Sequence, residues 1–227
     1  MEECIHLWGF DNAENIRFSF DYGITDKLQA GVGRSKTKEH LDGSLKYKLL
    51  EQTSKNSMPI SLAIYSMMAY TPVRDLENYF IKPEYRLSYT FQTIIARKFG
   101  DRFSFEMLPT IVHRNYVTAF VNPHNGAEET NEIFSLGVGA RLKLTKRTVL
   151  VADYFYVFSD YRLGNTAAPH YNPLGIGLEI ETGGHVFYIN LTNSSGIIEN
   201  DFIVDTRDTW TKGGYKLGFN ISRIFNF

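Results

Sequence analysis

The sequence predicts an all-β protein, an antiparallel up-and-down transmembrane β-barrel with about eleven strands present of an expected twelve. Apolar and polar side chains alternate from one end of the chain to the other, which is the period of a strand with two different faces. Short and long connections alternate between these stretches. No apolar run approaches the roughly 20 residues that a membrane-spanning helix needs. Aromatic residues make up 15% of the 227 residues, too many for a disordered chain.

The alternation predicts where each strand lies. In order, the predicted strands cover 16–23, 28–34, 43–50, 58–71, 84–99, 103–115, 131–145, 147–159, 173–182, 185–194 and 213–227. The clearest alternation lies between Glu132 and Thr145, and the weakest lies in 58–70 and 148–158. Most of these strands exceed the mean of about five to six residues in soluble sheets. Several reach the roughly 9 to 11 residues that cross a bilayer at a tilt.

The connections between the strands separate into two kinds. Tight turns are predicted at 25–27, 100–102, 146–147 and 183–184, with a somewhat longer one at 51–57. Long links are predicted at 35–42, 72–83, 116–130, 160–172 and 195–212. A soluble sandwich has no reason to place every long loop at one end. Transmembrane barrels do so, with short periplasmic turns and long outward loops.

In a membrane barrel the apolar face of each strand meets lipid and the other face lines the lumen. Strand parity predicts lipid contact for Phe18, Phe20, Leu136, Val138, Leu142, Leu178, Phe219 and Phe227. It predicts a lumen-facing position for Arg17, Asp21, Lys46, Lys48, Arg86, Glu106, Arg114, Arg141, Lys143, Asp153, Glu179 and Glu181. A soluble lipocalin-like barrel that binds a ligand is the alternative, but the apolar faces of eleven long strands would overfill its interior.

Several blocks of the chain look familiar. They are Gly9–Arg17 followed by Tyr22–Asp26, then Ile95–Phe99, Pro109–Asn115, Glu181–Phe187 and Gly218–Arg223. Together they resemble conserved blocks of a Bacteroidota family of outer-membrane β-barrel proteins of unassigned function, over nearly the whole chain. The resemblance implies a location in the bacterial outer membrane and brings no catalytic assignment.

Members of that family begin earlier than this chain, with a signal peptide and one further strand. The geometry leads to the same expectation. If Phe227 ends the last strand in the periplasm and the turn at 25–27 is also periplasmic, residues 1–15 lie in an outer loop before a barrel of residues 16–227. An even-stranded barrel with both termini in the periplasm then needs one more strand before residue 1. We therefore expect the first and last of the eleven strands to run parallel.

The charged residues offer little sign of catalysis. The net charge of -1 excludes a chain-wide basic footprint for nucleic acid. The inward charges predict a salt-bridged filling of the lumen, with a selective pore or a small polar ligand site as the alternative. Glu179 and Glu181 form a possible acid pair, but no second motif supports hydrolysis. The histidines lack metal-site spacing, so we predict no metal, no cofactor and no catalytic residue.

The function predicted from these features is a narrow porin-like channel, or a scaffold that binds an envelope partner through its outer loops. A barrel-embedded lipid-modifying or hydrolytic enzyme is the alternative. The predicted contacts are outer-membrane lipid and an envelope protein partner bound through the outer loops. Two long loops also carry apolar residues, namely Phe120, Val121, Ile197, Ile198, Phe202, Ile203 and Val204. We expect these loops to fold over the mouth of the barrel as a lid.

Overall fold

The computed structural model describes residues 15–55, 57–75 and 79–225. They form one sheet of eleven antiparallel strands in chain order, each paired with the next. The strands are β1 (Arg17–Gly23), β2 (Leu28–Ser35), β3 (Leu41–Leu50), β4 (Ser61–Tyr70), β5 (Leu87–Phe99), β6 (Phe103–Arg114), β7 (Glu132–Lys143), β8 (Thr148–Phe158), β9 (Leu174–Thr182), β10 (His185–Thr192) and β11 (Lys216–Arg223). One short helix, α1 (Glu199–Phe202), lies between β10 and β11. Among the described residues, no helix is long and apolar enough to cross a bilayer.

All eleven predicted strands are present, but some bounds differ. β5 begins at Leu87 rather than residue 84, since Pro83 opens a 3-10 turn over Pro83–Arg86 and proline has no N–H to give a ladder. β11 begins at Lys216 rather than residue 213, because Gly213 has a positive φ of 76° after the turn at Trp210–Lys212. Glycine adopts this left-handed conformation without strain.

The long connections gather at one end of the sheet, as predicted, with one exception in length. Four of them, 71–86, 115–131, 159–173 and 193–215, lie at the end that we call the loop end. The β2–β3 connection lies there too but spans only 36–40, because β3 already begins at Leu41. The opposite end, called the turn end, holds 24–27, 51–60, 100–102, 144–147 and 183–184. The strict alternation of lengths was therefore wrong for 36–40 and 51–60.

The register explains why glycine alternates with charge on one face. Glu106 pairs with Gly139, Gly139 with Asp153, and Asp153 with Gly175. A Cβ at Gly139 would lie 2.6 Å from Glu106 Oε1, and one at Gly175 would lie 2.6 Å from Asp153 Oδ1. Each glycine thus leaves room for the carboxylate on the neighbouring strand.

The sheet has two edges, β1 and β11. Both strands run from the loop end to the turn end, so they are parallel, as predicted. Within the described residues no hydrogen-bonded ladder joins them. Residues 1–14 lie outside the described part of the chain, and the additional strand and the outer position of the segment 1–15 remain predictions.

The buried core lies on the inner side of the sheet. Leu108, Val112, Ile133, Phe155 and Val157 point inward from β6, β7 and β8, and they pack against Ile203 and Val204 of the β10–β11 connection. A smaller cluster joins Met67 and Ala69 of β4 to Ile198 of the same connection. We call residues 198–206 the plug. Its contacts with β4 through β8 show that the sheet curves around it.

Candidate functional site

The plug is held by polar contacts around Asp201, whose side chain is almost fully buried. His40 Nε2 lies 2.9 Å and Lys38 Nζ lies 3.1 Å from Asp201 Oδ1. Both partners lie in the β2–β3 connection, 36–40. Burial alone would raise the pKa of Asp201, but the hydrogen bond from His40 and the charge of Lys38 bring this pKa below its ordinary value. The ionised carboxylate therefore stabilises the docked plug.

A second polar contact joins the plug to β5. Thr90 Oγ1 donates a hydrogen bond of 2.8 Å to Asn200 Oδ1, and Asn200 Nδ2 donates one of 2.8 Å to Ser88 Oγ. Thr90 and Asn200 are buried. A buried amide is expensive to leave unpaired, so these bonds fix the orientation of α1 against the wall.

Apolar packing holds the plug against the wall next to these polar contacts. Ile203 is 0% exposed, and the rings of Phe155 and Phe202 meet edge to face with centroids 5.0 Å apart. The Phe155 ring lies over the backbone of Gly137 in β7, where a Cβ would collide with that ring. The missing side chain at Gly137 therefore lets Phe155 reach the plug.

A cavity of about 310 Å³ lies beneath the plug, beside β1 to β5. Its lining includes Arg17, Asp21, Lys46 and Tyr65, and Glu199 enters it from the plug. Arg17 donates to both oxygens of Asp42, at 2.5 and 2.7 Å. Burial raises the pKa of Glu199 above its ordinary value. The cavity is thus a polar chamber with both signs of charge, and Glu199 of the plug contributes to its lining.

The structure places the predicted lumen residues in separate groups. Arg17, Asp21 and Lys46 line the cavity beneath the plug, whereas Arg141, Lys143, Glu179 and Glu181 line a second cavity at the turn end. Glu106 and Asp153 lie between the two groups, in the glycine-spaced row described above. Arg141 forms an ion pair with Glu179. The ion pairs of the interior are local, Arg17 with Asp42 and Arg141 with Glu179, and Glu106 and Asp153 lie between them.

Three of the predicted lumen residues lie at the rims. Lys48 pairs with Glu51 at 2.9 Å near the turn end, and Arg114 pairs with Glu129 at 2.9 Å near the loop end. Arg86 was predicted to lie in a strand, and this prediction was wrong. Arg86 belongs to the 3-10 turn and donates to the carbonyl oxygens of Thr71 and Val73. It therefore braces the β4–β5 loop.

The predicted lipid-facing residues share the outer side of the sheet. Phe18, Phe20, Leu142, Leu178 and Phe219 are exposed there, and Leu136 and Val138 are half-exposed on the same face. Phe227 lies outside the described residues. Contact of this face with acyl chains remains a prediction.

Sequence reasoning did not find the inward apolar residues, and it understated the role of the plug. Ile198, Ile203 and Val204 are buried inside the sheet, whereas Phe120, Val121 and Ile197 are exposed. The predicted lid is therefore a plug within the lumen, formed by one of the two loops. A signal was present in 154–158, which is apolar at every position. Such a run is typical of a strand buried on both faces.

A model of one protein family matches residues 2–225, and its description is Membrane bound beta barrel domain (DUF5777). The chain belongs to this family. Among curated proteins none matches the chain significantly. Among solved structures, the chain is similar to one described as the NanC porin in a rhombohedral crystal form. That similarity has 8% identity, 93% coverage of each chain and a TM-score of 0.62.

These comparisons and the eleven-stranded sheet confirm the predicted β-barrel fold and the membrane-bound class. They also confirm the resemblance to a barrel family of unassigned function. The Bacteroidota origin remains a prediction. At 8% identity the porin shares the fold alone. Among the described residues, no three His, Cys, Asp or Glu side chains lie together as a metal site requires.

Proposed function

We propose that this family member is a porin-like channel of the bacterial outer membrane whose lumen is closed by the plug. The observation that carries the proposal is the arrangement along the barrel interior. A polar cavity of about 310 Å³ lies on one side of the plug and the long loops lie on the other. Exposed apolar side chains cover the outer face of the sheet, as acyl chains require.

The plug is suited to move because its attachment is small. It is a single turn of helix with short flanking segments, and three of its apolar side chains, Ile198, Ile203 and Val204, are buried. Full burial of such a side chain contributes about 1.5 to 3 kcal/mol, while ordering each backbone residue costs about 1 to 2 kcal/mol. These opposing contributions are of the same order. A docked and an undocked plug can therefore both be populated.

A non-conducting scaffold is the second candidate. Phe120, Val121 and Leu163 are exposed on the long loops at the loop end, where an envelope protein can approach them. In that role the plug would stay docked, and the loops would supply the binding surface. A catalytic role has less support. The one acid pair predicted from the sequence is Glu179 with Glu181, and the Glu179 carboxylate forms an ion pair with Arg141.

The test of the channel proposal is conductance across a planar lipid bilayer. The wild-type chain is compared with a variant in which residues 198–206 are replaced by a Gly/Ser segment of equal length. We expect a closed wild type with infrequent openings and a continuously conducting variant. Heat-modifiable migration in detergent gels verifies that both barrels are folded. A folded variant that stays closed would favour the scaffold. Fractionation of native envelopes tests the outer-membrane location.

A further inference from the structure

Positive charge is concentrated inside the turn end of the barrel. A cavity of about 260 Å³ there is lined by the β5–β6 and β7–β8 turns and by the ends of β9 and β10. Its charged lining comprises six cations, Lys98, Arg102, Arg141, Lys143, Lys146 and Arg147, and three carboxylates, Asp101, Glu179 and Glu181. The whole chain carries a net charge of -1. The excess of cations is therefore local, and we call this cavity the basic vestibule.

Most of the cations in the basic vestibule have no carboxylate partner. Arg141 pairs with Glu179. In the parts of the chain that the structure describes, the other five cations form no ion pair within 4.0 Å, and all six are exposed. A cleft lined with charge of one sign attracts and concentrates oppositely charged solutes. The unpaired cations thus favour an anion from solution.

The strand register directs this charge into the lumen rather than toward lipid. Lys98 pairs with Ser104, and Ser104 with Arg141, on the face that also carries Glu106 and the plug contacts. Lys143 pairs with Val149, which in turn pairs with Glu179. Neighbouring strands lie about 4.8 Å apart, and these side chains line one cavity.

We propose that the basic vestibule binds multivalent oxyanions, meaning small solutes that carry several phosphate or carboxylate groups. Arginine guanidinium groups bind such oxygens in pairs, and lysine ammonium groups add point charges. Several cations around one cavity bind a ligand with several negative groups more tightly than a ligand with one. The vestibule lies at the turn end, and no plug residue is among its lining residues. Binding there does not require the plug to open, so the inference goes beyond the proposed channel.

The experiment measures binding of inorganic tripolyphosphate to the detergent-solubilised full chain by isothermal titration calorimetry, over a series of salt concentrations. We compare Lys143→Gln/Lys146→Gln with the control Lys27→Gln/Lys55→Gln, which removes the same charge from the same end of the barrel, outside the vestibule. We expect saturable binding that weakens with salt. The affinity should fall at least tenfold in the vestibule variant and less than twofold in the control.

Three results would overturn the proposal: no binding by the wild type, equal loss in both variants, or unchanged affinity in the vestibule variant. A second arm distinguishes a free solute from a lipid headgroup. The titration is repeated in nanodiscs of phosphatidylcholine and of phosphatidylglycerol. Binding in both supports a free solute, and loss of binding in phosphatidylglycerol alone would show that an anionic lipid headgroup competes for the vestibule. Because calorimetry needs no ion flow, a failure here is distinct from a failure of the channel proposal.

Discussion

Replacing Ile203 by alanine should open the barrel. Ile203 is 0% exposed, and the clustered side chains of β6, β7 and β8 surround it. Truncation of a buried isoleucine to alanine costs about 2 to 5 kcal/mol. The plug makes these contacts only when docked, so the loss falls on the docked state. Since about 1.4 kcal/mol changes an equilibrium tenfold, the ratio of undocked to docked plug should rise by about 30-fold to about 4,000-fold.

The assay is the open fraction in single-channel recordings at fixed voltage and salt. Ile197→Ala is the matched control, since it makes the same chemical change in the same connection at a side chain that is 45% exposed. The control should leave the open fraction within about twofold of the wild type, because an exposed side chain contributes little packing. Heat-modifiable migration verifies that each barrel is folded.

One result would refute this reasoning. If folded Ile203→Ala and Ile197→Ala have the same open fraction, burial of Ile203 does not hold the lumen closed. The plug would then be either permanently docked or unrelated to conduction.

Three further outcomes are expected. Burial raises the pKa of Glu199, so the contribution of this residue to docking is fully present below the ordinary carboxyl pKa of 4.5 and is lost as the pH rises through the raised value. Glu199→Gln should therefore flatten the rise in open fraction above pH 4.5. Gly137→Ala should displace the Phe155 ring and cost about 1 to 3 kcal/mol in plug docking. Gly43→Ala should not, because its Cβ would meet only the Gly31 carbonyl oxygen, at 4.0 Å. Asp201→Asn should weaken docking by about 1.5 to 3 kcal/mol, seen as faster hydrogen exchange in residues 198–206.

Each of the three has a contradicting result. For Glu199→Gln it is a pH profile that coincides with the wild-type profile. For Gly137→Ala it is an open fraction equal to that of Gly43→Ala. For Asp201→Asn it is unchanged exchange in the plug, because the contacts to His40 and Lys38 would then contribute nothing to docking.

Strand geometry made the two faces predictable. Successive side chains of a strand point to opposite sides, so the alternation over 132–143 places Leu136 and Arg141 on different faces. The prediction of a membrane barrel then assigns Leu136 outward and Arg141 inward. The observed register agrees, with Arg141 opposite Ser104 on the inner face. The charged residues that lie within strands could therefore be assigned to a side. Arg86 could not, because Pro83 turns the chain before β5 begins.

The alternation of side chains could not predict the plug, because the plug contacts residues that are distant along the chain. Ile203 shares one buried cluster with Val112 and Ile133, and no local period indicates that cluster. The basic vestibule is hidden in the same way, since 98–102 and 141–147 meet only after the strands between them pair. Sequence therefore indicated which loop carries apolar residues, but not that this loop enters the lumen.

The most direct test of the plugged lumen is a reversible lock. Thr90 and Asn200 touch through their side chains, at 2.8 Å between Thr90 Oγ1 and Asn200 Oδ1, so Thr90→Cys/Asn200→Cys in a Cys4→Ser background should form a disulfide between wall and plug. Conductance is recorded on one bilayer through oxidation and reduction, with Thr90→Cys alone as the control. The account predicts a closed barrel when the pair is oxidised and openings after reduction. Equal conductance in both states, with the disulfide verified by mass spectrometry, would contradict it.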